Sequence, residues 1–364
     1  MVSLGAKVMT EASRSSLWRE AFAPREDDPH EKPRKRLVGS LERMRENVAT
    51  LITTIPADCK DLTVHDVTHL DALWEMASLI AGPKYALNPA EAFVLGGAIL
   101  LHDAALSAAA FQGGLDELKR TQEWQDLAAA SLRQQNIEPT LEAIQSPPAD
   151  LLGQIKFSVL RALHAQQAER MSSVAWSLSN GEQIYLLDDT ELRQAFGAVI
   201  GRVAHSHHWD IERVAETLLD NIGAGTVLPA DWCVSERKIA CLLRCADAAH
   251  IDRRRAPTIL YAATRPSGIS DVHWGAQNKI NKPVVDGSTL IYSGAAVRPF
   301  PSSESLGGGK PQSTLQSYSP RRLAPHRRGS SSLRPGSPRP NAGRPSPLRR
   351  RRHNAFPRTL AELR

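Results

Sequence analysis

The chain has 364 residues, of which 41% are hydrophobic, and its formal net charge is +6. This length allows one large or two ordinary domains, and the hydrophobic content is sufficient for a folded core. No apolar stretch reaches the roughly 18 residues of a membrane-spanning helix, and no signal-like segment opens the chain, so we expect a cytoplasmic protein without membrane contact. The four cysteines show no Cys-x-x-Cys spacing, which favours buried reduced thiols over a metal or redox motif.

The positive charge is concentrated near the C-terminal end. From Ser305 onward there are 13 arginines and one lysine against the single acid Glu362, a net charge of +13, which leaves −7 on residues 1–304. Ser, Pro, Arg and Gly dominate residues 301–364, so we predict a disordered tail that buries too little apolar surface to fold. Two interpretations stay open: a tail that binds nucleic acid non-specifically, or the shifted-frame product of GC-rich DNA.

Helical periodicity dominates the rest of the sequence. We predict a polar N-terminal arm over residues 1–36, with one short helix at residues 15–22. From Leu37 onward, apolar residues recur every three to four positions, which predicts a domain of amphipathic helices over residues 37–300. Residues 284–293 favour a hairpin, so the predicted fold is all-α with a small C-terminal strand-containing extension. The predicted helices cover residues 37–52, 70–80, 89–102, 154–178, 189–203, 211–219 and 235–249.

The pair His102-Asp103 closes the apolar run AFVLGGAILL of residues 92–101. Burying such a polar pair costs free energy unless a partner compensates, and a metal ion is one such partner. A lone His-Asp dipeptide occurs often by chance and, taken alone, is better explained as a satisfied polar pair. The two side chains diverge by about 100° on a helix, so a single metal accepts both only near the helix end. An aspartate can also bridge two metals, which a histidine cannot.

Other polar residues in apolar surroundings extend this set. His65 and His69 lie four residues apart, and His69 is followed by apolar residues that would anchor its helix, so His69 is the better ligand candidate. We expect His65 and His250 to support and orient the ligands from outside the set. Asp247, in ACLLRCADAAH, lies on the apolar side of a helix and needs a metal, an arginine or a histidine as partner.

Three further histidines decide how many metals the site holds. His164 alone fits a surface or capping residue, whereas the sequence HSHH, which ends in His207 and His208, is difficult to explain as solvated surface. If His164 and one of His207 or His208 join the set, two cations can share Asp103 and activate water between them. Mixed histidine and carboxylate ligation suits Mn, Fe, Co or Zn, so we predict one or two divalent metal ions of this kind.

Three consecutive arginines follow Asp247. Arg253, Arg254 and Arg255 are candidates for binding a substrate phosphate through bidentate hydrogen bonds. An equally open interpretation is a solvated turn in which they pair with Asp252 and other acids. Lys238 and Arg244 are interpreted as ordinary helix-surface charges.

The order His, His-Asp, His, His-His, Asp resembles the HD superfamily of metal-dependent phosphohydrolases, in its HD-CE branch. The resemblance covers residues 62–299, about two thirds of the chain, through LTVHDVTHLDALW, LNPAEAFVLGGAILLHDAAL, LRALHAQQAERM, LLDDTELRQAFGAVIGRVAHSHHWDIE and DWCVSERKIACLLRCADAAHIDRRRAP. It implies an HD-domain helical bundle in which the motif positions, with catalytic ligands, are His69, His102, Asp103 and Asp247. His164 and His207 or His208 resemble the additional ligands of binuclear members.

The resemblance also implies a function. HD enzymes hydrolyse phosphoesters, so the expected substrate is a phosphorylated small molecule, such as a nucleotide or cyclic nucleotide, in a bacterial conflict or signalling system. In this branch the HD domain is often followed by a GHKL-type ATPase domain of the heat-shock-chaperone kind, and here the arginine-rich tail holds that position. An alternative hypothesis is a non-catalytic HD sensor that works with a separate GHKL-type ATPase, and another is nucleic-acid binding through the tail.

Overall fold

Helices dominate the part of the chain that the structure, a computed structural model, describes, which is residues 11–223 and 227–294. The predicted all-α architecture is confirmed. The α-helices are α1 (Glu11–Arg14), α2 (Ser16–Phe22), α3 (Glu31–Ile52), α4 (Ile55–Asp58), α5 (Val67–Ala81), α6 (Pro89–Leu101), α7 (Gly114–Lys119), α8 (Gln122–Gln134), α9 (Leu141–Gln145), α10 (Ala149–Met171), α11 (Thr190–His205), α12 (Ile211–Thr217), α13 (Glu236–Ala249), α14 (Thr258–Thr264) and α15 (Gly268–Lys279).

Two short antiparallel hairpins accompany the helices. β1 (Ala175–Ser177) pairs with β2 (Gln183–Tyr185), and β3 (Val284–Asp286) pairs with β4 (Thr289–Ile291). The second hairpin is the predicted C-terminal strand extension. The first was missed, because the helix predicted to end at residue 178 ends at Met171. Helices α4, α7, α8, α9, α14 and α15 were also missed. Helices α9 and α14 bury no residue and so lack the apolar periodicity that predicts a helix, whereas α8 does show it, with Trp124, Ala128 and Leu132 buried at four-residue spacing.

The N-terminal region contributes to the core. Leu17 and Phe22 on α2 are buried, and α3 begins at Glu31 rather than at the predicted Leu37. The guanidinium of Arg34 is buried, where its Nε donates to Asp28 Oδ2 at 2.7 Å and its Nη1 donates to the carbonyl of Ala21. Residues 11–36 thus pack on the helices that follow, in place of a loose polar arm. Residues 1–10 of that arm, and the tail of residues 301–364, lie outside the described residues.

Helix α6 is the central element, because all of its residues are buried. A capping box starts it: the Asn88 side chain accepts from Glu91 N at 3.0 Å, and Glu91 Oε2 accepts from Asn88 N at 3.2 Å. Helices α3, α11 and α13 pack against α6, and α5 packs against α13. None of the described helices combines the length and apolar character required to cross a membrane.

Helices α10 and α11 approach each other very closely at Gly201. A Cβ atom at this position would lie 2.1 Å from the backbone oxygen of Glu169, so only glycine fits. This contact joins the helix that carries His164 to the helix that leads into His207. All of these helices belong to one compact unit of the chain.

Candidate metal centre

Helices α5 and α6 bring His69 and His102 together from distant parts of the chain. Asp66 caps α5, its Oδ1 accepting from Thr68 N at 2.8 Å, which places His69 in the first turn of the helix. His102 is the C-terminal cap of α6. Both imidazoles are buried, and their rings meet edge to face with centroids 5.4 Å apart.

Three of the histidines share one hydrogen-bonding pattern. The Nδ1 of His102 lies 2.8 Å from the carbonyl of Ile99, that of His164 lies 2.8 Å from the carbonyl of Arg161, and that of His207 lies 2.6 Å from the carbonyl of Ala204. A carbonyl oxygen only accepts, so in each neutral ring Nδ1 carries the proton and Nε2 carries a lone pair. All three lone pairs face Asp103.

The carboxylate of Asp103 lies between two sets of imidazoles. Its Oδ2 is 3.1 Å from His102 Nε2 and 3.9 Å from His69 Nε2. Its Oδ1 is 3.5 Å from His164 Nε2 and 3.7 Å from His207 Nε2. Each oxygen of one carboxylate therefore faces a different set of nitrogen ligands, which is the arrangement of a residue able to bridge two cations.

Asp247 completes the first of these sets. It projects from α13 and is buried, and its Oδ1 lies 3.9 Å from His102 Nε2 and 4.0 Å from His69 Nε2. One potential ligand atom from each member lies within 4.8 Å of all the others. We call this set the His69 group, and its members are His69, His102, Asp103 and Asp247.

A second set of histidines also brings its potential ligand atoms within 4.8 Å of one another. His164, from α10, joins His207 and His208, which lie in the 3-10 turn Ser206–His208 directly after α11. The Nε2 atoms of His164 and His207 are 3.3 Å apart, and the exposed His208 ring lies 4.5 Å from both other rings, centroid to centroid. We call this set the His164 group. The neighbouring His205 turns away, with its Nδ1 2.5 Å from Glu169 Oε2.

Burial controls the charge of the imidazoles. It lowers the pKa of His207 to about 3 and that of His164 to about 4, so both rings are neutral at pH 7. The pKa of Asp103 lies well below its usual range, because His102 and the other imidazoles outweigh the effect of its burial. His102 is the exception: burial opposes its charged form, but the negative charges of Asp103 and Asp247 raise its pKa. The site thus holds an ionised carboxylate among donor nitrogens.

These residues fit a divalent metal centre. His102 Nε2 is buried without a hydrogen-bond donor among the described residues, and the lone pairs of His164 and His207 face each other across 3.3 Å. Such contacts are unfavourable unless a proton or a cation lies between the atoms. The backbone carbonyls that fix each ring are the supporting interactions that metal-binding histidines commonly make. The donor set of imidazoles and carboxylates suits Mn, Fe, Co or Zn.

His65, His250 and Arg255 surround His69. The Nδ1 of His65 lies 2.5 Å from the carbonyl of Thr63, and its Nε2 accepts from Arg255 Nη2 at 2.8 Å. The His250 ring stacks on His69, and their Nδ1 atoms are 2.8 Å apart, so one ring donates to the other. His65 and His250 are members of neither ligand set, and each lies against His69 or Arg255.

The side chains of the three consecutive arginines contact different sets of residues. Arg255 is buried, with Nη1 2.8 Å from both ring nitrogens of His69. Arg254 instead donates to Asp252 Oδ2 and to Glu75 Oε2, each at 2.7 Å, and Arg253 donates to the side chain of Asn281. Arg254 therefore matches the alternative of a turn that pairs with Asp252, and among the three only Arg255 contacts a histidine of the His69 group.

Two residues interpreted from the sequence as surface charges form hydrogen bonds to the segments that carry the candidate ligands. Lys238 on α13 donates to Glu91 Oε2 at 2.7 Å and to the carbonyl of Ala86 at 2.8 Å, next to the capping box of α6. Arg244, on the same helix, donates from Nη1 to the carbonyl of Ser206, in the turn that presents His207. The earlier interpretation was wrong for both. Arg244 lies three residues before Asp247, a spacing that places both on one helix face, whereas Lys238, nine residues before it, lies on the opposite face.

A helical bundle that buries this His and Asp arrangement defines an HD-type domain. The chain belongs to the HD-CE family, whose model matches residues 59–313. The predicted resemblance is thereby confirmed. No curated protein and no solved structure shows significant similarity to this chain.

Proposed function

We propose that this protein is a metal-dependent phosphohydrolase of the HD type. The observation that carries the proposal is the position of Asp103, with one carboxylate oxygen facing the His69 group and the other facing His164 and His207. Membership of the HD-CE family supports the same chemistry. Divalent cations held in such a pair of sites supply an activated water and neutralise the charge that develops on a phosphoryl group.

The residues of the chain divide the remaining tasks. His69, His102, Asp103 and Asp247 would hold one cation, and His164 and His207, with His208 at the exposed edge, would hold another. The carbonyls of Ile99, Arg161 and Ala204 already hold the three imidazoles in place, so cation binding would cost little side-chain conformational entropy. Of the three arginines, Arg255 lies against His69 and would contact a substrate anion at the His69 group.

The substrate in this proposal is a phosphorylated small molecule, with nucleotides and cyclic nucleotides as the first candidates. The proposed partner is a GHKL-type ATPase on a separate chain. Conflict and signalling systems are the proposed context, and the cytoplasm is the proposed location.

The decisive experiment is elemental analysis of the full chain beside its Asp103→Asn variant, followed by a phosphoester screen of both proteins. We expect one or two equivalents of Mn, Fe, Co or Zn in the native protein, lost or reduced in the variant. We also expect turnover of at least one phosphoester by the native protein alone. Asparagine keeps the shape of the side chain but removes the charge, so circular dichroism should remain unchanged.

Three outcomes contradict the proposal in different ways. If neither protein binds metal after exposure to Mn²⁺ or Zn²⁺, the metal centre itself is wrong. If metal binds, and nucleotide raises the melting temperature without any turnover, the chain is the non-catalytic sensor that the sequence leaves as an alternative. Full activity in Asp103→Asn would also reject the assignment of Asp103.

A further inference from the structure

A permanent positive charge lies against one of the two ligand sets. Arg255 is 6% exposed, and its Nη1 lies 2.8 Å from both ring nitrogens of His69. Its Nη2 donates to His65 Nε2 at 2.8 Å, and that nitrogen lies 3.7 Å from Asp103 Oδ2. An arginine cannot lose its proton in a protein, so this charge is present at every relevant pH.

The His164 group has different surroundings. The Nε2 atoms of His164 and His207 lie 3.3 Å from each other and 3.5 and 3.7 Å from Asp103 Oδ1. Two guanidinium groups near this set contact other atoms: that of Arg161 lies over the ring of Phe157, and Arg244 Nη1 donates to the carbonyl of Ser206. The two ligand sets thus share Asp103, but the guanidinium of Arg255 contacts a ligand imidazole directly, whereas those of Arg161 and Arg244 contact a phenyl ring and a backbone carbonyl.

We propose that Arg255 makes the two ligand sets unequal, so that the His164 group binds the first divalent cation and the His69 group binds the second with lower affinity. The inference rests on the proposed metal centre. As a consequence, the His69 group binds its cation more weakly, although it contains both residues of the His-Asp sequence motif. Arg255 acts here as a specificity-determining residue for metal occupancy.

The expected size of the effect follows from electrostatics. A cation bound to His69 would lie within a few ångström of the guanidinium, and like charges at such distances repel strongly even in a partly solvated site. Relaxation of the long side chain reduces this repulsion without removing it. We therefore expect loss of the charge to tighten the weaker site by about tenfold or more.

The test is a titration of metal-free full-length protein with Mn²⁺, in which free Mn²⁺ is followed by electron paramagnetic resonance. The native protein should show two binding steps. Asp247→Asn should remove the weaker step, and His164→Gln should remove the tighter one, which assigns each step to its ligand set. This readout needs no substrate and no turnover.

Four variants then separate charge from packing. Arg255→Met and Arg255→Gln remove the charge, and both should tighten the weaker step by about tenfold or more. Arg255→Lys keeps the charge and loses the fork that holds His65, so its weaker step should stay within about threefold of the native value. Arg253→Met, which removes an equal charge two residues away, is the matched control and should change neither step. Circular dichroism verifies the fold of each variant.

The outcomes are distinguishable. Weaker binding in all three Arg255 variants would show that Arg255 only braces the histidines, and it would overturn the inference. Equal binding steps, or loss of the tight step in Asp247→Asn, would overturn it as well while leaving the proposed function standing. Absence of Mn²⁺ binding in the native protein would overturn both.

Discussion

The Nε2 atoms of His164 and His207 lie 3.3 Å apart, although their residues are 43 positions apart in the chain. Each ring donates its Nδ1 proton to the backbone carbonyl three residues earlier in the chain, so both Nε2 atoms carry lone pairs. Two lone pairs at this distance repel each other unless a cation lies between them. Together with the nearby Asp103 Oδ1, these two nitrogens make the His164 group suited to binding a cation.

His164→Gln is expected to remove one equivalent of metal and leave the His69 group able to bind. The reason is that His164 contributes only to the set on the Oδ1 side of Asp103. Elemental analysis after dialysis measures the stoichiometry. His205→Gln is the control, because His205 faces Glu169, and it should retain the native metal content. Equal losses in both variants would contradict the division into two groups.

Gly201→Ala is expected to lower the free energy of unfolding by at least about 1 kcal/mol, because overpacking of a close contact outweighs the helix propensity of alanine. Its Cβ would collide with the Glu169 backbone and push α11 away from α10. Urea denaturation measures the change, and metal analysis should show a weakened His164 group. Gly153→Ala on α10 is the matched control, since a Cβ there meets nothing within 4 Å. That variant should be neutral or more stable by up to about 1 kcal/mol. A stable Gly201→Ala protein would refute the close approach.

Asp189→Asn is expected to destabilise the protein at pH 7 by about 1 kcal/mol, and this effect should shrink as the pH falls below the ordinary pKa of an aspartate. Asp189 accepts two hydrogen bonds of 2.7 Å from Arg36, which together with the Leu192 amide lower its pKa below the usual value. A lowered folded-state pKa means that the stabilisation is present above the unfolded pKa and is lost as the pH falls through the folded one.

Asparagine caps helices as well as aspartate does, so the difference isolates the charge rather than the cap of α11. Urea denaturation of both proteins at a series of pH values measures this difference. A stability loss that is the same at every pH would show that the ion pair is not its source.

Arg244→Met is expected to cost about 1–3 kcal/mol of stability, because the carbonyl of the buried Ser206 loses a charge-assisted hydrogen bond. The same change should weaken Mn²⁺ binding by the His164 group, since that turn carries His207. Arg43→Met removes an arginine whose ion pair with Asp188 is exposed, and it should cost less than about 1 kcal/mol. Thermal denaturation and Mn²⁺ titration compare the two variants. Equal effects would return Arg244 to the status of a surface charge.

The sequence by itself determined the helical class and the candidate ligands. Apolar residues every three to four positions predict α5, α6, α11 and α13, because one face of each helix has to be buried. A histidine and an aspartate that end an all-apolar helix, such as His102 and Asp103, have to find partners, and this requirement is visible without coordinates. Short exposed helices such as α14 carry no such constraint, so they escaped prediction.

Only the tertiary structure decided which of these residues meet and how each one faces its neighbours. His205 and His207 are two residues apart, yet one faces Glu169 and the other faces Asp103. The three adjacent arginines likewise contact different residues, and Arg255 contacts His65, which is 190 positions away in the sequence. Local periodicity fixes the face of a helix, whereas the partner of a polar side chain depends on the packing of elements that are remote in the chain. The division of the Asp103 carboxylate between two ligand sets is a product of that packing.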